Sequence, residues 1–135
     1  MNNENLANIL DQLLESLSAK NIDSLMTFYE DNFVFELVPE HVAIEGKTAW
    51  NQGVIDFMNW VQAGKKEVLR YCVDGRTVWV ERVDHWQIDN QWIALPIVAI
   101  VEFSDANKVQ KWREYHTLEY RKQFENFPKT GLVED

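Results

Sequence analysis

From Glu67 to His116 the chain reads almost continuously as extended segments joined by short turns, and no other feature limits the fold as strongly. "VLRYCV" runs through Asp74-Gly75 into "TVWVERVDHW", and Asp-Gly readily adopts the positive φ angles of a tight hairpin turn. Asp89-Asn90 leads into "WIALPIVAIVEF", and "SDANK" leads into "VQKWREYH". The expectation is a meander of about four long antiparallel strands. Side chains alternate along a strand with period two, so Arg82 and Asp84 share a face with Trp86, and Glu114 shares one with Trp112 and His116. Charge is thereby mixed into an apolar surface. An ion there is costly unless it reaches water or a partner, so these residues either point outward or meet inside a cavity.

Helices precede the strands. Leu6, Ile9, Leu10, Leu13, Leu14 and Leu17 follow the spacing of a helix with one apolar face. A second helix is expected from Ile22 to Tyr29, capped by Asn21, with Ile22, Leu25, Met26 and Tyr29 on one side. Phe33 to Leu37 alternates as a strand that Pro39 stops. In "EGKTAWNQGVIDFMNWV", Thr48 is the expected cap of a third helix whose stripe is Trp50, Val54, Phe57, Met58 and Val61. "TLEYRKQFENF" closes the chain as a short helix. Helices followed by a run of strands describe an α+β domain in which a curved sheet wraps the helices, spanning residues 1–127, with a flexible tail at 128–135.

The net charge of −9 disfavours both nucleic acid and anionic membrane surfaces as partners. Cys72 is the one cysteine, which excludes an intramolecular disulfide and fits a reducing compartment, so a cytoplasmic location is expected; in an alternating strand it reads as a packing residue. The N-terminal stretch lacks a basic region and interrupts its apolar residues with acids, so it reads as neither a signal peptide nor a spanning helix. His41 and His85 have no ligand spacing around them, and no metal site is expected.

"SLMTFYEDNFVFELVP", "EGKTAW" and the final strands together resemble the NTF2-like superfamily, which includes ketosteroid isomerase, SnoaL-like cyclases and limonene-1,2-epoxide hydrolase. "ERVD" at 81–84 and "WREY" at 112–115 are similar in order and spacing to the charged strand motifs of the epoxide hydrolase branch. The resemblance implies a cone, with N-terminal helices packed in a curved antiparallel sheet. It implies that Arg82 is the family's arginine, Asp84 its general acid and Glu114 its general base, acting without a cofactor. The chemistry agrees, because opening an epoxide needs a proton for the departing oxygen and a base for the attacking water. A guanidinium, permanently charged and planar, can hold both carboxyl groups in register.

The chain departs from the family at the first strand, where Val34 and Glu36 occupy positions that the resemblance assigns to a Tyr and an Asn holding the water. Val34 cannot hold water, and an ionised Glu36 can accept a hydrogen bond but not donate one. Glu114 is one methylene longer than the family's Asp, a displacement of about 1 Å at the water. With Val34, Glu36, Trp86, Trp112 and His116 lining the pocket, Glu36, Asp84 and Glu114 against Arg82 leave a net charge of about −2, and repulsion then raises at least one carboxyl pKa. Which carboxyl holds the proton stays open for so coupled a set.

The outward positions Phe33, Phe35, Trp79, Val83 and Tyr115 form an apolar row with no helix left to cover it, and dimerisation through the sheet is expected. Trp50, Trp60, Trp86, Trp92 and Trp112 line the core or the pocket. Three functional readings stand: a hydrolase opening the epoxide of a small apolar molecule, a SnoaL-like cyclase or isomerase-like proton transfer on the same scaffold, and a ligand-binding domain without catalysis. In the last, the charged cluster is only a polar network that fixes strand register.

Overall fold

Helices α2 and α3, at Ile22–Met26 and Lys47–Trp60, each begin where a residue satisfies or relieves the backbone. The computed structural model describes residues 3–38, 42–117 and 122. Helix α1 (Asn3–Ser18) buries Leu6, Leu10, Leu13 and Leu14 completely or nearly so, as the spacing predicts. It stops at Lys20, whose φ of 60° leaves the helical region and whose Nζ donates to the Val61 carbonyl at 2.9 Å. Helix α2 (Ile22–Met26) is capped by Asn21, whose side-chain oxygen accepts from the Ser24 amide at 3.1 Å. It ends short of the expected Tyr29, because the Thr27 hydroxyl turns back onto the Ser24 carbonyl at 2.7 Å. Tyr29 instead opens strand β1 (Tyr29–Val38) with its ring against Phe33 and Trp50.

A four-residue strand, β2 (Val42–Glu45), follows and pairs antiparallel with β1. The next helix, α3 (Lys47–Trp60), starts at Gly46, not at the expected cap Thr48, which lies inside the helix. Gly46 has φ 92°, open to glycine alone at little cost, and its amide donates to the Phe33 carbonyl at 2.6 Å. Val61, expected in the helical stripe, is the extended residue after the helix but remains buried.

The meander is present as β3 (Ala63–Asp74), β4 (Thr77–Ile88), β5 (Gln91–Phe103) and β6 (Val109–Tyr115). At the first turn Asp74 still pairs with Thr77, so the loop is Gly75-Arg76 and the positive φ falls on Gly75 alone. Asp89 and Asn90 both take positive φ at the second, and Gln62 holds Asn90 through two hydrogen bonds of 2.5 and 2.8 Å. The strands form one sheet in the order β2-β1-β6-β5-β4-β3; the β1–β6 pair is parallel and the others antiparallel. The expected closing helix over 117–127 and the tail 128–135 lie, apart from Thr117 and Lys122, outside the described residues.

On β4 the buried row is Val78, Val80, Arg82, Asp84, Trp86 and Ile88, and on β5 it is Leu95, Ile97, Ala99, Val101 and Phe103. On β1 the faces are the reverse of those expected. Phe33 and Phe35 are buried against Trp50 at ring separations of 5.3 and 4.6 Å, and Phe35 is paired with the buried Trp112. Val34 and Glu36 therefore take the outer face. The physical reason is burial: the alternative would expose two phenylalanines to seat one valine and one carboxylate. Trp92 (55% exposed) and Cys72 are surface residues, against the expected packing roles.

Candidate functional site

Two strands carry the charged residues inward. Arg82 and Asp84 are successive inward positions of β4, and Trp112 and Glu114 are successive inward positions of β6. Strand β5 separates them, and at the crossing the residue between is small: Ala99 pairs with Glu114 on one side and with Val80 on the other. A methyl group there leaves room for the Arg82 side chain to reach diagonally across β5.

It does so in full. Arg82 Nε donates to Asp84 Oδ1 at 2.9 Å and Nη2 to Asp84 Oδ2 at 3.2 Å, while Nη2 also donates to Glu114 Oε1 at 2.7 Å. Trp112 Nε1 donates to the same Glu114 Oε1 at 3.0 Å, and the guanidinium carbon lies 5.6 Å from the centre of the Trp112 ring. All three ionisable side chains are buried, Arg82 to 2% exposure. Of the two alternatives in the sequence, pointing to water or meeting inside, the chain adopts the second.

Burial works against the Arg82 charge, but Asp84 and Glu114 outweigh it and raise the guanidinium pKa further. Burial pushes the Asp84 carboxyl up from its ordinary value; Arg82 opposes this and the Glu114 charge adds to it. Tyr29, buried beside the cluster, has its phenol pushed well up, chiefly by burial, and it feels the charges of Glu114 and Arg82. The helical spacing assigned Tyr29 to α2, so its place here escaped the sequence. Ala99 escaped as well, since an alanine among larger apolar residues carries no signal until its cross-strand neighbours are known.

The other expected pocket residues divide. Trp86 is inward and buried, edge-on to Phe57 at 4.9 Å, and packs so closely on Gly64 that a Cβ there would lie 2.3 Å from the indole. Glu36 stands on the outer face, paired with Arg113 at 3.2 Å, and Val34 shares that face. The interior thus holds Asp84 and Glu114 against Arg82, a net charge of about −1 with both ionised, not −2. His116 follows the end of β6, where alternation no longer applies, and lines a cleft of about 260 Å³ with Val83, Pro96, Val98 and Tyr115. Among the described residues no group of three or more His, Cys, Asp or Glu side chains is placed to hold a metal ion, and no helix is long and apolar enough to cross a membrane.

Among the described residues, three helices enclosed by a six-stranded curved sheet, with ionisable groups inside the curve, define an NTF2-like cone. Residues 5–124 match the family model of the limonene-1,2-epoxide hydrolase catalytic domain, and the chain belongs to that family. Among solved structures it is similar to an LEH-like epoxide hydrolase of M. tuberculosis, with 20% identity over 84% of each chain and a TM-score of 0.76. The epoxide hydrolase/cyclase-like enzyme SalBIII, of pyran ring formation in the polyether salinomycin, is 13% identical over 86% of this chain and 93% of its own, with a TM-score of 0.77. PrhC from Penicillium brasilianum is 8% identical over 97% of this chain and 98% of its own, with a TM-score of 0.80. At these identities the likeness is one of fold. Among curated proteins none matches the sequence significantly.

Proposed function

We propose that the protein opens the epoxide of a small, largely apolar molecule in one step, with Asp84 as acid and Glu114 as base. The observation that carries this reading is the carboxyl pair bridged by one buried arginine in an otherwise apolar interior. Water attacks an epoxide carbon and loses a proton to Glu114. The carbon–oxygen bond breaks, and the oxygen takes the proton held by Asp84. Arg82 keeps both groups in register throughout, and no cofactor enters. Raising the Asp84 pKa by burial favours the protonated form that an acid requires. Turnover of a panel of apolar epoxides in ¹⁸O-labelled water tests the reading: the diol must carry label in the first turnover, and a protein inert to the whole panel overturns it.

A second reading has its own support. The β1 residues in register with Trp112 and Glu114 are Phe35 and Leu37, so at that level the strand offers no polar side chain to seat a water, and the hydroxyl it brings near the cluster is that of Tyr29. A substrate bringing its own hydroxyl would need no such seat, and Glu114 would take the proton of that hydroxyl as the ring closes. An epoxy alcohol converted to an unlabelled cyclic ether in labelled water favours this reading over hydrolysis.

The outer sheet face is proposed as a homodimer contact, revised to the row Leu69, Trp79, Val83, Val98 and Tyr115. On it Arg70 is paired with Glu81 at 2.9 Å and Arg113 with Glu36 at 3.2 Å, and His85 Nε2 lies 2.9 Å from Glu67. With those arginine pairs formed, the face sets less bare charge between two copies of a chain of charge −9.

A further inference from the structure

Glu114 Oε1 accepts two hydrogen bonds from two different side chains, Arg82 Nη2 at 2.7 Å and Trp112 Nε1 at 3.0 Å. The second donor is the unexpected one. In an apolar pocket a tryptophan two residues from a carboxylate reads as a wall for substrate, and the sequence places Trp112 there on that ground. The structure gives the indole N–H a different task. A glutamate has one more rotatable bond than an aspartate, and a carboxylate at its end swings further unless something fixes it. One guanidinium nitrogen shared between two carboxylates leaves that swing poorly restrained. An indole N–H is a single donor on a rigid ring, and this ring cannot turn: it is buried, with Phe35 beside it on β1 and Val101 on β5, and Arg82 lies 5.6 Å from its centre.

We propose that Trp112 is a positioning residue for Glu114: its N–H and the Arg82 guanidinium together pin one carboxylate oxygen and so aim the other at the reacting centre. This rests on the reading of Glu114 as the base. Trp112 acts through Glu114 and not on the substrate, and its role is one that an isosteric ring without the N–H cannot fill. The same contact explains how a longer base serves in this site, since the extra methylene is accompanied by a second anchor on the next inward position of the same strand.

The Trp112→Phe variant tests the proposal by how its kinetics divide. Loss of aim lowers kcat by about tenfold or more and leaves KM within about twofold, because small misplacements of a reacting group cost rate and not ground-state binding. A change confined to KM would make Trp112 a substrate wall and overturn the proposal, as would unchanged kinetics with a lowered Tm. A second measurement needs neither a substrate nor a stable Trp112 variant. The protein has six tryptophans, and in the intact chain the indole N–H resonance of Trp112 should lie downfield, as expected of a donor to a carboxylate. In Glu114→Gln, whose neutral amide oxygen accepts more weakly than a carboxylate, that displacement should shrink while the other indole resonances hold their places. An indole resonance indifferent to Glu114→Gln overturns the coupling. Wild-type protein that turns over no epoxide, with the coupling intact, overturns the epoxide reading and leaves the contact standing.

Discussion

The two faces of one sheet carry nearly the same ion pairs and make different things of them. Inside, Arg82 holds Asp84 and Glu114 with side chains 2%, 10% and 6% exposed. Outside, on the same β6 strand, Arg113 holds Glu36 with side chains 37% and 30% exposed. Charge type matches; the surrounding medium does not. In water the outer pair is screened and solvated, and it contributes on the order of 0–1 kcal/mol. Within the cone neither partner can be removed without stranding the other. The inner pair is therefore where chemistry can be placed, because there the Asp84 carboxyl departs upward from its ordinary pKa.

Removing the cation from each face is the sharpest way to break this comparison. Arg82→Met leaves Asp84 and Glu114 facing each other without compensation and should cost about 3–5 kcal/mol at neutral pH. Arg113→Met should stay within about 0.5 kcal/mol of wild type. Denaturant unfolding at neutral and at mildly acid pH checks both. With Arg82 gone, the Asp84 carboxyl loses the pull that opposed its burial, so the penalty is greatest at high pH and shrinks as it protonates. Equal losses for the two variants would mean that burial is not what separates the faces.

Turnover probes the same contrast at the carboxylates. Glu114→Gln keeps the shape and the Oε1 contacts but removes the basic site, so the rate should fall by at least about a hundredfold while the protein still folds. Glu36→Gln, outside, should leave the rate unchanged. A Glu36 variant as damaged as the Glu114 variant would restore Glu36 to the interior that the sequence first suggested.

The outer face has its own test in Trp79, which is 46% exposed in the apolar row. A Trp79→Asp change sets a charge in the proposed contact and should release monomers in sedimentation at micromolar concentration. Wild-type protein that is already monomeric there would sink the dimer.

How far the sequence disclosed these faces depended on the strand. β4 and β6 lie in a meander with strong turn signals, so period two set Arg82 with Asp84 on one side of β4 and Trp112 with Glu114 on one side of β6, and the resemblance turned both inward. β1 has the same alternation, and its own pattern of Phe33, Phe35 and Leu37 marks an apolar face. The resemblance set Val34 and Glu36 inward instead, and the one-residue shift exchanged every side chain of that strand. β2 has four residues and falls below what alternation can reveal. The diagonal from Arg82 to Glu114 depends on Ala99, and cross-strand register is not written in either strand by itself.

The subtlest difference between the faces concerns protons. Asp84 has a folded-state pKa raised above the ordinary carboxylate value, first by burial and then by the Glu114 charge, against the pull of Arg82. A raised carboxyl binds its proton more tightly in the folded chain than in the unfolded one, so folding takes up a proton between the two pKa values. Stability must then fall as pH rises from the unfolded carboxylate range through the folded pKa of Asp84, the reverse of the usual salt-bridged aspartate. Asp11 supplies the ordinary case in the same molecule: Lys66 at 2.9 Å and the Tyr71 hydroxyl at 2.8 Å lower its pKa, and that contribution is lost as pH falls. In Asp84→Asn the first slope should vanish and the second remain, so the difference between wild type and variant, followed by unfolding across mildly acid pH, isolates Asp84. A difference that grows with opposite sign, wild type gaining on the variant as pH rises, would mean that Arg82 prevails over burial at Asp84, and the acid role would lose its physical basis.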